Sequence, residues 1–158
     1  MTGTGYLVMK AIHLLAVVLF LGNIGIGTFW KFYGDRSGDP RIIAHTMSGI
    51  IRADRWFTVP GVILLVVFGF GAAGSGHVSL GSPWIVWSIV LIVVSGLAFV
   101  IRIGPLQKRM LAVAREGSGA TDFDSAAYAR LSKSWAIWGS VALLAPVIAV
   151  VLMVLKPN

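Results

Sequence analysis

The chain has 158 residues, 57% of them hydrophobic and only 12% charged, a balance that excludes an ordinary soluble domain. It contains no cysteine, which removes disulfides, iron–sulfur ligation and thiol catalysis and leaves histidines, a few carboxylates and methionines as metal ligands. The net charge of +7 is no signal for nucleic acid, because the basic residues are confined almost entirely to two stretches and mark membrane topology instead.

Four apolar segments, about 6–30, 57–73, 83–103 and 135–155, are each long enough to cross a hydrocarbon core of ~30 Å. The longest polar stretch, about 105–134, is too short to hide a soluble catalytic domain. The expected fold is therefore all-α: residues 1–158 form a single integral membrane four-helix bundle, and any chemistry lies inside it or at its mouths. Five basic residues (Lys31, Arg36, Arg41, Arg52, Arg55) fall between the first and second spans, and six (Arg102, Lys108, Arg109, Arg115, Arg130, Lys133) between the third and fourth. The loop GAAGSGHVSLGS between the second and third has none. Both basic loops are thus expected in the cytoplasm, with the N-terminus, the C-terminus and the GAAGSGHVSLGS loop outside. Aromatic belts agree, since Trp30, Trp56, Trp135 and Trp138 fall at inner ends and Trp84 and Trp87 at an outer end.

The first span lacks a basic n-region and an obvious cleavage site, so it is expected to be a retained helix and not a signal peptide. Along it His13, Ala16, Phe20, Asn23, Gly27 and Trp30 recur at spacings of three and four and form one stripe, expected to face the bundle. Lys10 lies one turn further out, within snorkelling reach of the surface. Ionisable groups at this depth are costly and mark a functional site by default. Three readings of His13 stand open: a structural hydrogen bond to a neighbouring helix, a proton or substrate relay, or axial ligation of a haem iron in an apolar pocket. Gly22, Gly25 and Gly27 permit close helix packing on more than one face, which suggests a homodimer.

The second helix is expected to begin at Asp39-Pro40, an N-cap followed by proline at the first helical position. Arg41, His45, Ser48, Arg52 and Arg55 form a polar stripe, and Ile43, Met47 and Ile50 lie on another face, so about 40–56 reads as an amphipathic cytoplasmic extension of the second span. Arg52 and Arg55, with Asp54 between them, read as an interfacial anchor or as a cradle for an anionic group such as a lipid phosphate or a haem propionate. His45 lies on the face opposite His13 and is expected to be solvated. His77, in the outward loop, is on the same side as His13 and is the natural histidine partner for a metal.

Ser82-Pro83 opens the third helix in the same way, and Gly104-Pro105 is expected to kink or break it. GSGATDFDS is a loop, after which Asp124 or Ser125 caps the fourth helix. Pro60 and Pro146 lie inside spans, where neighbouring helices can satisfy the freed carbonyls. Met153, near the outer end of the fourth helix, is the methionine that approaches the level of His13.

The run LVMKAIHLLAVV from Leu7 to Val18 resembles the first helix of the HemJ-type protoporphyrinogen oxidases and of the related CopD-like membrane proteins, in which a K-A-x-H motif opens the first span. RWFTVPGVILLVVFGF is similar to that group's second helix and ARLSKSWAIWGSVALLAPVIAVVLMVLKP to its last. More closely, the chain resembles an uncharacterised bacterial family of predicted integral membrane proteins associated with them. The resemblance implies a four-helix bundle that holds haem b, with His13 as ligand and Lys10 as its neighbour. The HemJ type also carries a Lys and a His in its third helix, and IVWSIVLIVVSGLAFVI has neither.

Taken together, the expectation is a multi-pass protein of the bacterial inner membrane that binds haem b through His13 and passes electrons or senses a redox partner or quinone. His13, Lys10, Asn23, Arg52 and Arg55 are its cofactor-binding residues, and His13 and His77 its metal ligands. The alternatives are a haem-free transport or scaffold subunit, in which Lys10, His13 and Asn23 line a path, and a HemJ-like porphyrinogen oxidase.

Overall fold

The computed structural model describes residues 3–119 and 122–157. Among these there is no strand. Four long helices follow one another, α1 (Thr4–Arg36), α2 (Pro40–Ser75), α3 (Pro83–Gly117) and α4 (Ser125–Leu155). At 1.5 Å per residue each is roughly 45 to 55 Å long, so the bundle projects well beyond the hydrocarbon. The projecting part is the end that carries the two basic loops, called here the basic end; both termini and the α2–α3 loop lie at the other, the terminal end.

The bundle is arranged inside out relative to a soluble protein. Large apolar side chains such as Leu15, Val18 and Val100 are about 70% exposed, while His13, Lys31, Asp54, Thr58, Ser88, Ser95 and Gln107 are buried. Lipid tails are as apolar as leucine, so an outward valine costs nothing, and polar groups find partners only inside.

Local chemistry sets the helix starts. The Asp39 carboxylate accepts from the Arg41 N–H at 2.8 Å and that of Asp124 from Ala127 N–H at 2.8 Å, both as expected of capping residues. Ser82 occupies the same position before Pro83 but caps with its backbone carbonyl alone, which accepts from Ile85 and Val86. In the expected GSGATDFDS loop, Ala120 and Thr121 lie outside the described residues.

Gly104-Pro105 does not break α3. The helix widens into a π turn over Phe99–Ile103 just before it, where the Gly104 N–H reaches the Phe99 carbonyl five residues back. Pro60 is preceded in the same way by a π turn at Asp54–Thr58, with the Val59 N–H bonded to the Asp54 carbonyl. In both helices the π turn ends two residues before the proline. One extra residue in the turn makes room for a ring that would otherwise strike the carbonyl four residues back. It also resets the helix face: the buried line of α3 runs Ser95, Ala98, then a step of five to Ile103, then Gln107, Met110 and Ala114.

Pro146, fully buried in α4, has no N–H for the Ala142 carbonyl. The Ser95 hydroxyl of α3 supplies the missing donor at 2.8 Å. A sequence-local defect in one helix is thereby repaired by its neighbour and becomes a tertiary contact.

The helices pack as two hairpins, α1 with α2 and α3 with α4. Where the hairpins meet, close backbone approaches join Pro40–Ala53 of α2 to Gly104–Gly117 of α3 and, to a lesser extent, α1 to α4. Val59–Ser75 of α2 makes no such approach to Pro83–Ala98 of α3 or to α4. At the basic end α2, α3 and α4 thus share a core around Ile43, Met47, Ile103, Met110, Tyr128 and Trp135, while towards the terminal end the hairpins diverge.

Two sequence expectations change here. The inward stripe of α1 holds from His13 through Ala16 and Phe20 to Gly27, but then passes to Lys31 and Gly34, leaving Trp30 54% exposed. Trp135 is not a belt residue; at 7% exposure it belongs to the core, and its indole N–H has no hydrogen-bond partner.

Candidate functional site

His13 is buried on α1 with its Nδ1 2.8 Å from the Leu65 carbonyl oxygen of α2. A carbonyl only accepts, so Nδ1 carries the proton and, in the neutral ring, Nε2 carries the free lone pair. Gly69, one turn beyond Leu65, provides the clearance: a Cβ there would lie 3.0 Å from both Nδ1 and Cε1 of the ring. The sequence places a histidine where α2 offers a carbonyl and a gap, and the gap is what seats the ring.

His13 also lines an apolar cleft between the diverging hairpins. Val17, Phe20 and Leu21 of α1, Leu65 of α2, Ile92 of α3, and Pro146, Ala149 and Met153 of α4 complete its walls. The free volume is about 20 Å³, the size of a single water. Met153 and His13 are thus on opposite hairpins around one space. The space is bounded by an imidazole whose N–H is anchored on a carbonyl, a thioether across the cleft, and apolar walls. At its present width the cleft admits no porphyrin.

The remaining sequence candidates are distributed along the bundle. Lys10 is exposed, with its ammonium 5.7 Å from the Tyr6 ring centre. His77 is exposed in the α2–α3 loop with a left-handed backbone, φ 51°. It follows the end of α2, which is ten residues or ~15 Å beyond Leu65, so the structure does not bring it to His13. Arg52 and Arg55 are exposed at the basic end, thirteen and ten residues from Leu65 along α2, ~20 and ~15 Å away. His45 is exposed as well. Among the described residues no three His, Asp or Glu side chains come together as a metal cage.

Asn23 belongs to a second constellation. Its amide donates to the Thr58 hydroxyl at 2.8 Å and to Asp54 Oδ1 at 3.3 Å. The Thr58 hydroxyl donates to the same Oδ1 at 2.7 Å, and the Gln107 amide of α3 donates to Oδ2 at 2.8 Å. Asp54, in the π turn, is therefore a buried carboxylate held by three neutral side chains from three helices. No cation lies within ion-pair distance, since the one ion pair among the described residues is Lys31–Asp35. That pair forms a third group nearer the basic end. Lys31 also donates to the Ser132 hydroxyl at 2.6 Å and lies over the Trp135 ring, while the Tyr128 hydroxyl donates to Asp35 at 2.6 Å.

Asp54 and Gln107 were not singled out from the sequence, for different reasons. The buried line of α2 runs Ile43, Met47, Ile50 and then Asp54, so the signal was present but masked by the arginines on either side. For Gln107 the period itself is broken by the π turn.

Fold and interior define the class: a four-helix integral membrane bundle with polar groups buried at three levels, one of them a histidine at an apolar cleft. The chain belongs to the family described as "Predicted integral membrane protein (DUF2269)", whose pattern matches residues 7–157. No curated relative and no solved structure matches it.

Proposed function

We propose that this protein binds haem b in the cleft between its two hairpins and serves a redox role, passing electrons to or from a partner or a quinone. The supporting observation is His13: its Nδ1–H is bonded to the Leu65 carbonyl, and Nε2 is left as a lone pair beside an apolar cleft. In this reading the hairpins part to admit the group, His13 and Met153 would hold its iron, and Leu65 and Gly69 keep the imidazole oriented. When bound, the group would supply one-electron chemistry. The apolar walls exclude water, and Lys10 reaches the surface at the terminal end. Arg52 and Arg55 stand too far along α2 to touch the same group and instead anchor the basic end at lipid headgroups, which under the positive-inside rule face the cytoplasm of a bacterial inner membrane.

Detergent-purified protein from a haem-replete host tests this. Expected are a Soret band, α and β bands that sharpen on reduction, and about one haem per chain by pyridine haemochrome. His13→Ala abolishes the spectrum, and Met153→Leu keeps haem but shifts its reduced bands. Colourless protein with an intact fold refutes the proposal.

A second reading, a haem-free transport subunit, is favoured by the hydrogen-bonded Asn23–Thr58–Asp54–Gln107 group. It predicts colourless protein whose activity depends on Asn23.

A further inference from the structure

We infer that Asp54 is a proton-binding site, loaded and unloaded inside the bundle independently of any haem. Every contact to its carboxylate is a donor: Thr58 and Asn23 to Oδ1, Gln107 to Oδ2. That pattern fits the ionised form, which only accepts. The protonated form needs one acceptor, and all three partners can provide it: the Thr58 hydroxyl accepts as well as donates. Rotating the Asn23 or Gln107 carboxamide by half a turn exchanges its NH₂ for its carbonyl oxygen, so both charge states are satisfied with the same side chains.

A buried carboxylate that stays charged at every pH is ordinarily held by a cation beside it. None is present. On α2 itself, Arg52 and Arg55 flank Asp54 but are exposed and outside ion-pair distance. From α1, the nearest charges are Lys31 and Asp35, two and three turns past Asn23 and committed to each other. From α3, Arg102 lies over the Trp138 ring and Lys108 is exposed. The three side chains touch the carboxylate directly, at 2.7 to 3.3 Å, so no gap among them is large enough for a metal ion. The ligand that fits is a proton. Because Asp54 belongs to one hairpin and Gln107 to the other, its charge state also acts on a bond that ties the hairpins together.

The test is infrared titration of the full-length protein in nanodiscs from about pH 4 to about pH 9, with and without sodium. A carboxyl C=O stretch that grows as pH falls and is missing in Asp54→Asn is the expected result. Gln107→Leu and Thr58→Val each remove a donor that favours the ionised form, so each moves the midpoint to higher pH, by ~1 unit. Should Asp54→Asn not assemble, these two shifts decide the matter in chains that keep the carboxylate. The proposal is overturned if no Asp54-dependent band titrates in that range, if both donor variants keep the midpoint of the unsubstituted protein, or if the band follows sodium and not pH. Haem content plays no part in these readouts.

Discussion

Gly69→Ala probes the seat of His13. The added Cβ would sit 3.0 Å from Nδ1 and Cε1 of the ring, against an ordinary carbon contact of ~3.5 Å or more. The imidazole must therefore withdraw by ~0.5 Å, which stretches its 2.8 Å bond to the Leu65 carbonyl past the ~3.2 Å limit of a good hydrogen bond. A buried N–H without a partner costs ~1–3 kcal/mol. Against this, alanine in place of glycine gains up to ~1 kcal/mol of helix propensity. The net effect is a destabilisation of about 1–2 kcal/mol. In a His13→Ala background the obstacle is gone, and the same substitution becomes neutral or stabilising, so the coupling between the two sites is ~2 kcal/mol. Thermal unfolding of the four proteins of this cycle in one detergent measures it. Equal effects of Gly69→Ala in both backgrounds would refute the seating of the ring against Gly69, whatever the ring goes on to bind.

Three further outcomes follow from the packing. Ser95→Ala leaves the Ala142 carbonyl unpaired beneath Pro146 and lowers stability by ~1–3 kcal/mol, but costs much less in a Pro146→Ala chain, where the helix regains its own donor; unfolding midpoints of the two pairs show whether the effects add. Asp35→Asn strips the buried Lys31 of its counter-charge and destabilises the basic end by about 3 kcal/mol, whereas Lys31→Met, which leaves the half-exposed Asp35 bonded to Tyr128 and Ser132, costs less; the reverse order would mean that Lys31 is not desolvated. Trp135→Ala costs ~3–5 kcal/mol as a core deletion, while Trp30→Ala stays within ~1 kcal/mol, and unfolding midpoints in detergent separate the two.

The sequence made the number of helices, their caps and their apolar lengths legible, because hydrocarbon thickness and the missing N–H of proline act locally. His13 and Asn23 were also visible, since a polar residue on a small-residue face has only the interior to go to. What stayed hidden was tertiary. Trp30 and Lys31 are neighbours, and only the direction in which α1 leaves the membrane decides that the lysine turns inward to Asp35 and Ser132 while the indole turns out. Trp135 reads as an interfacial tryptophan until α3 and α4 close over it. Asp54 follows Ile43, Met47 and Ile50 in steps of three and four, but Gln107 reaches it only because α3 takes on an extra residue in its π turn, an event that such a count does not register.

The divergence of the hairpins has a mechanical consequence. Two rods clamped at one end and joined only by side chains at the other behave as a tuning fork: the tines move more easily than the stem. With α2 and α3 gripped from Pro40–Ala53 to Gly104–Gly117, a rotation of a few degrees about that grip grows with distance from it and is largest at the tips, beyond His13 and Met153. A gap opened there would lie between apolar helix faces and so would face the acyl chains and not water. An oily guest dissolved in the bilayer would arrive by diffusion in two dimensions, and its supply would follow its partitioning into lipid and not its concentration in solution.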